Sequence, residues 1–361
     1  MSGEGGLSST LTRIKTIDPD GITIRNYVHK TTTKSRLSAS ISLGLAREAL
    51  FYSTMSKQIE TIMGEGSLPH VFGSIGSMTT GEKSILLESV DDSIQAGYLF
   101  GSGSPHNWNR NLDIYTSRAE IDLVSLSELA FTKMARLHRA FWNDSSLFSK
   151  SSWLRGASWK EGKEKESWEA SQAYAASSWS ETMNKVKNNI DVTNSAVKWD
   201  PLVIDIVNAS LASASWTEYL RLQSGQPFTL VHGDLHPANC LWVPSSRRLV
   251  FLDFENVGIG SGPQDCAQFL ISHMNPLVRA ECEKNLMKSY YEELTQGVNL
   301  GYSWEQCWSD YISGGAERWI WLLCILSTMC PDNMVQYFHD QTASFIKDHN
   351  ITPKTIGMPR V

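Results

Sequence analysis

The chain has 361 residues, enough for one large globular unit or two lobes with a core each. Hydrophobic residues make up 41% and charged residues 19%, an ordinary balance for a water-exposed globular protein, and the net charge is -6 with no Lys/Arg-rich run. This leaves no footprint for nucleic acid or an anionic membrane, and the strongest apolar run, Trp319 to Met329, is far shorter than the about 20 residues that span a bilayer.

From the N-terminus, Met1 to Thr10 is rich in Gly and Ser rather than apolar, so no secretory leader is expected. Leu11 to Ile17 and Ile22 to Lys30 read as strands rich in β-branched residues, joined by the turn Asp18-Pro19-Asp20-Gly21. Leu37 to Met55 carries apolar residues at helical spacing and reads as one helix. Ser84 to Val90 is a short, mostly apolar strand. Ser93 to Asn111, rich in Gly, Ser and Asn, reads as a loop or lid. A lobe boundary is expected near residue 91, giving an N-lobe over 1–90 and a C-lobe over 91–361.

Beyond it the chain turns helical. Glu120 to Trp142 repeats Leu123, Leu126, Leu129, Ala130, Met134, Leu137 and Phe141 at three- and four-residue intervals. Ser145 to Ser180 is serine-rich but holds Trp153, Trp159, Trp168 and Trp179, more aromatic residue than plain disorder carries; it reads as a helical insertion or a mobile cap within about 143–200. Val203 to Leu222 reads as a helix. Two short strands follow, Thr229 to His232 and Leu249 to Asp253, and helices fill the rest. All six cysteines lie in the last third and none forms a Cys-x-x-Cys pair, the pattern of reduced thiols in a cytoplasmic protein.

The chemistry concentrates in His232-Gly233-Asp234-Leu235-His236-Pro237-Ala238-Asn239 and in Asp253. Phosphoryl transfer asks for positioning and for cations held against phosphate oxygens. Magnesium takes hard oxygen ligands, one or two of them from protein, which Asn239 and Asp253 can supply from two strand ends. Asp234, five residues before Asn239, can accept the proton of an attacking hydroxyl; protein kinases use the same Asp-x-x-x-x-Asn spacing ahead of a metal-binding aspartate. A rival reading makes His232, Asp234 and His236 a zinc site, since alternating strand residues share a face. That reading leaves Asn239 and Asp253 without work.

This octapeptide, followed by Phe251-Leu252-Asp253-Phe254-Glu255, resembles the aminoglycoside phosphotransferase and choline-kinase-like family of small-molecule kinases. Gly262-Pro263-Gln264-Asp265-Cys266-Ala267 and Leu137-His138-Arg139-Ala140-Phe141-Trp142 fit the same resemblance. It implies an α+β, bilobal protein-kinase-like fold, with a small β-rich N-lobe and a large helical C-lobe. It also implies ATP and Mg²⁺ as cofactors and a small-molecule hydroxyl acceptor, with neither nucleic acid nor membrane as partner. Carried over by resemblance, Gly5, Gly6 and Ser8 belong to a phosphate-cradling loop, and Lys30 contacts phosphates while pairing with Glu48. Ser89 and Val90 offer hinge groups to adenine, Asp234 is catalytic, Asn239 and Asp253 hold metal, and Asp265 is structural.

Three departures stand out. The chain starts almost at the glycine segment, so a first N-lobe strand is expected to be missing or very short. The metal motif reads Asp-Phe-Glu. Gly233 replaces the arginine through which protein kinases pair with a phosphorylated loop, which argues against a loop-regulated protein kinase. Trp304, Trp308, Trp319 and Trp321, or the carboxylates Asp310 and Glu317, are candidates for facing an amine acceptor, with plain core packing as the alternative for the tryptophans. A non-catalytic kinase-like binding protein remains a second reading of the whole chain.

Overall fold

A computed structural model describes residues 2–5, 9–18, 20, 22–188 and 196–361, with the backbone alone given for residues 2–5 and 188. The N-lobe is built on an antiparallel sheet of β1 (Ser2–Gly5), β2 (Ser9–Ile17), β3 (Ile24–Thr32), β4 (Val71–Gly76) and β5 (Lys83–Glu88), in the order β1-β2-β3-β5-β4. The first strand, expected to be missing or very short, is present as the four-residue β1: Ser2 pairs with Thr12 and Gly5 with Ser9. Gly5 therefore ends a strand in a hairpin, while Gly6 and Ser8 lie outside the described residues.

The helix expected over Leu37–Met55 is instead α1 (Leu37–Leu43) and α2 (Arg47–Thr54), followed by α3 (Ser56–Met63). The break is Gly44, whose φ of 67° puts it in the left-handed conformation that closes helices, its amide bonded back to Ile41 O. The redirected α2 packs against the sheet and presents Glu48 in its first turn, 1% exposed. On β5 the alternate residues Lys83, Ile85 and Leu87 face inward, so a lysine shares the apolar side of the strand.

Residues 93–111, read as a loop or lid, contain short packed elements between irregular stretches. β6 (Ile94–Gln95) pairs with β8 (Cys240–Val243), which continues into β9 (Arg248–Phe251). Ala96, Leu99 and Phe100 are buried, and the Asn107 amide bonds the carbonyls of Gly97 and Gly101. Then come α4 (Asp113–Ala119) and α5 (Leu123–Ala140), the latter capped by Asp122, whose carboxylate accepts from the amides of Val124 and Ser125. The tryptophan-rich stretch folds as α6 (Ser146–Lys150), α7 (Ala157–Lys160) and the long α8 (Lys165–Asn188), with Trp168 and Trp179 buried. The single helix expected over Val203–Leu222 is α9 (Pro201–Ala212) and α10 (Trp216–Gly225), the second started by a Ser215 cap.

β7 (Thr229–Val231) pairs with β10 (Gly258–Gly260), and β8 with β9, so the two strands read from sequence each have a partner that the sequence did not announce. The C-lobe closes with α11 (Gly262–His273), α12 (Pro276–Thr295), α13 (Trp304–Met329) and α14 (Asp332–Asp348). α11 lies buried along most of its length between α5, α12, α13 and α14. All six cysteines are free thiols, and among the described residues no helix is long and apolar enough to cross a membrane.

Candidate active site

The loop after β7 owes its shape to two positions. Gly233 has φ of 77°, and a Cβ there would come within 2.1 Å of the Asn256 carbonyl oxygen, so a side chain has no room. Asp265, in the first turn of α11, accepts from the amides of His232 (2.7 Å) and Gly233 (3.1 Å). His138 stands behind it, with Nε2 at 3.6 Å from Asp265 and Nδ1 at 2.9 Å from the Tyr290 hydroxyl. Asp265 is thus a scaffold group and His138 a core residue. His232 is fully buried. Its Nδ1 takes the Asp234 amide and its Nε2 meets the Leu252 carbonyl at 2.9 Å. Both ring nitrogens are spent within the fold, which leaves none for zinc.

Asn239 and Asp253 meet through the β8–β9 hairpin. Cys240 is opposite Phe251, and the Leu252 amide donates to the Asn239 carbonyl at 2.8 Å, so the next residues on each side are neighbours. The Asn239 amide nitrogen donates to the Asp234 carbonyl (3.0 Å), which leaves Asn239 Oδ1 as the oxygen to offer a cation. Asp253 itself sits at φ 64°, ψ 57°, a costly backbone for a non-glycine residue and common at functional positions. Phe254 anchors it by stacking on Phe51 of α2, with centroids 3.9 Å apart. An amide oxygen beside a carboxylate is a hard donor set of the kind magnesium takes.

The Asp234 carboxylate, 32% exposed, accepts from Gln268 Nε2 at 2.7 Å and has His236 Nε2 at 3.9 Å. Gln268 lies one helical turn after Asp265 and is held in turn by Arg318 Nε at 3.3 Å, whose Nη2 bonds the Gly233 carbonyl at 3.1 Å. One oxygen of Asp234 is fixed and part of the group faces outward, as a proton acceptor requires. His236 also stacks with His106 and His273 (ring centroids 6.1 and 5.5 Å away); desolvation and the neighbouring imidazoles hold all three below the ordinary histidine range, His273 in the interior most of all and His106 at the exposed end of the stack.

On the N-lobe side, Lys30 bonds Glu48 (3.0 Å) and Asp253 (2.9 Å) and lies 3.2 Å from Glu255. Burial alone would pull its ammonium down, but the carboxylates of Asp253, Glu48 and Glu255 prevail and hold it well above the ordinary lysine value. The lysine outweighs burial at Asp253 too and keeps that carboxyl low, whereas at Glu48 burial prevails and raises it. A second lysine completes the cluster: Lys83 Nζ reaches Glu48 (2.7 Å), the Leu45 carbonyl (3.3 Å) and Glu255, which also accepts from Ser9. Glu48, Asp253 and Glu255 have oxygens close enough to share a metal ion, but the two ammonium groups already tie them together. Of the hinge pair, Ser89 has spent its amide on Asn26 and its carbonyl on Asp91, which leaves the Val90 amide as the group able to meet a base.

Sequence reasoning missed Lys83, Glu255, Gln268, Arg155 and Arg318. Lys83 could have been found from its place in the alternation Lys83, Ile85, Leu87, and Gln268 from its spacing to Asp265. Of the tryptophans proposed for an acceptor box, Trp304 and Trp308 stack with each other, Trp308 also on Tyr311, and Trp319 is buried against Phe338. Trp321 has the Arg155 and Arg318 guanidinium carbons 5.6 and 5.0 Å from its ring centroid. Asp310 is bonded to the Tyr302 hydroxyl and Glu317 to Arg360, so neither is held ready for an amine.

A protein-family model, DUF1679, matches residues 161–349 and carries the description "Uncharacterized oxidoreductase dhs-27". The chain belongs to this family. No curated protein matches it. Among solved structures, the DUF1679 chain is similar to an ethanolamine kinase of Plasmodium vivax at 11% identity, over 96% of this chain and 83% of that one, with a TM-score of 0.50. It is equally similar to the GDP complex of a mutant aminoglycoside 2'-phosphotransferase-IIIa, at 12% identity over 97% and 90% of the two chains and a TM-score of 0.50. At such identities the likeness concerns the fold: this DUF1679 member has the bilobal, protein-kinase-like architecture that the octapeptide led us to expect.

Proposed function

We propose that this protein is an ATP-dependent small-molecule kinase that transfers the γ-phosphoryl group to a hydroxyl. One observation carries the reading: the Asn239–Leu252 backbone bond sets Asn239 beside Asp253 while the same loop presents Asp234 on a fixed Gln268 contact. In this reading residues 1–90 hold the nucleotide and 91–361 supply the catalytic loop and the acceptor pocket. Lys30, fixed by Glu48, meets the phosphates; Gly5, Gly6 and Ser8 lie in the loop over them; Val90, with Ser89 shaping its turn, meets the base. Asn239 and Asp253 hold Mg²⁺, which when bound neutralises charge on the phosphate oxygens. Asp234 orients the acceptor hydroxyl and takes its proton. The free thiols suit a reducing compartment, and we assign the protein to the cytoplasm.

The word oxidoreductase belongs to the protein that the family description names. Here every strand ladder among the described residues is antiparallel, whereas the usual dinucleotide crevice is built on parallel βαβ units. The test is ADP release with Mg-ATP across a panel of hydroxyl metabolites, with thermal shift by Mg-ATP alongside. Asp234→Asn and Asp253→Asn are each expected to lower turnover by at least ~100-fold with the melting transition retained. Near-wild-type turnover in either variant would overturn the assigned roles. A wild-type protein that Mg-ATP does not stabilise would be the non-catalytic kinase-like protein instead.

A further inference from the structure

Three buried or half-buried arginines gather around the catalytic loop, and they differ in what satisfies them. Arg47 donates from Nε to the Trp153 carbonyl (2.8 Å) and from Nη1 to the carbonyls of Glu255 (3.0 Å) and Leu43 (3.4 Å), holding these chain segments together. Arg318, 2% exposed, spends Nε on Gln268 and Nη2 on Gly233, but its Nη1 is buried with no hydrogen-bond partner. Arg155 is half-buried and has one long contact, 3.5 Å to Asn256 Oδ1, besides the Trp321 ring.

Among the described residues neither Arg155 nor Arg318 has a carboxylate within ion-pair distance. Burial, only partly offset by Asp234, pushes both guanidiniums below the ordinary arginine range. Burying an unpaired charge costs several kcal/mol in principle, and the cost falls when an anion arrives. An arginine presents a planar fork suited to carboxylate or phosphate oxygens, so two of them beside one aromatic ring are a receptor for a small anion.

Arg318 is linked to Asp234 through Gln268 and bonds the neighbouring Gly233 carbonyl, and Arg155 joins it over the same Trp321 ring, while the lysines of the N-lobe are paired with Asp253, Glu48 and Glu255. The nucleotide's phosphates have their partners on the lysine side. We propose that Arg155 and Arg318, backed by Trp321, form a subsite for an anionic group carried by the acceptor, so that the substrate is a hydroxy acid or a similar hydroxyl compound bearing a carboxylate or phosphate.

This rests on the kinase reading and deepens it. An ammonium-bearing acceptor would add a third positive charge next to two that are already unpaired. The carboxylates that could have received it, Asp310 and Glu317, are engaged by Tyr302 and Arg360. An anionic acceptor brings its hydroxyl to Asp234 while its acid group cancels the local excess of positive charge.

The test is calorimetric titration of the full chain with the potassium salts of glycolate, glycerate and gluconate, against ethylene glycol, glycerol, sorbitol, ethanolamine and choline. It is run after saturation with Mg-ADP. At least one hydroxy acid is expected to bind about tenfold or more tightly than its neutral counterpart and than either amine. Arg155→Gln should remove that preference, and Arg155→Lys should restore part of it.

Several outcomes overturn the proposal: no hydroxy acid binds, choline or ethanolamine binds best, Arg155→Gln leaves the preference intact, or the acids displace Mg-ADP. Failure of Mg-ADP itself to bind, read in the preceding titration, would count against the kinase reading. The acid titration of the nucleotide-free protein would still report on Arg155.

Discussion

Two clusters of positive charge flank the loop that carries Asp234, and they are finished to different degrees. On one side Lys30 and Lys83 meet Glu48, Asp253 and Glu255, every charge within about hydrogen-bond distance of an opposite one. On the other, Arg155 and Arg318 touch an aromatic ring, a backbone carbonyl and amide oxygens, and no carboxylate among the described residues pairs with them. A cluster that is complete contributes to the fold as it stands. A cluster that is incomplete waits for something the described residues do not supply, and the contrast separates a framework from a receptor.

The contrast breaks most visibly if the complete side is opened. Lys83→Met leaves Glu48 and Glu255 short of a counter-ion in the interior, and we expect a loss of about 3–5 kcal/mol in denaturant unfolding. Gly233→Ala forces a left-handed alanine against the Asn256 carbonyl and should cost about 2 kcal/mol or more in the same measurement. Arg155→Gln, taken from the incomplete side, should change stability by less than about 1 kcal/mol, because it breaks no ion pair. A loss as large as that of Lys83→Met would mean that Arg155 has a structural partner after all.

The histidine stack gives a smaller, pH-dependent effect. His273 is buried and His236 half-buried, with pKa values pushed below 6.5, His273 far below it, and the more exposed His106 is lowered in the same direction. The unfolded chain therefore binds protons that the native chain refuses. Stability is fully present above about 6.5 and is lost as the pH falls, by about 1 kcal/mol or more per pH unit near pH 6. Denaturant curves between pH 7.5 and 5.5 should show this slope, and His273→Leu should flatten it.

The candidate site was legible because its residues lie close together in the chain. Asp234 and Asn239 are five residues apart, and Asp253 follows one short hairpin, so spacing alone brought the three together. Lys30 and Glu48 were also anticipated, and the structure joins them at 3.0 Å. What stayed hidden depends on contacts over long stretches of chain. Arg318 reaches Gly233 from 85 residues away, and Arg155 joins β10 through a loop with no recognisable pattern. Helix boundaries failed where a single residue overrode the apolar rhythm, as Gly44 does inside Leu37–Met55 and Ser215 does inside Val203–Leu222. The first strand, expected to be missing or very short, is four residues long, which is enough for an edge strand once a neighbour such as β2 is available to pair with.

Gly233 closes an evolutionary route. In protein kinases the corresponding position carries the arginine that senses a phosphorylated loop. Here no side chain fits, since the Asn256 carbonyl occupies the space that its first carbon would need. A guanidinium nevertheless arrives at the same backbone, delivered by Arg318 from α13 and bonded to the Gly233 carbonyl. A lineage starting from this arrangement cannot acquire that form of loop control by one substitution. It would first have to rebuild the turn at Asn256, whereas changes in α13 can retune the loop without touching its own sequence.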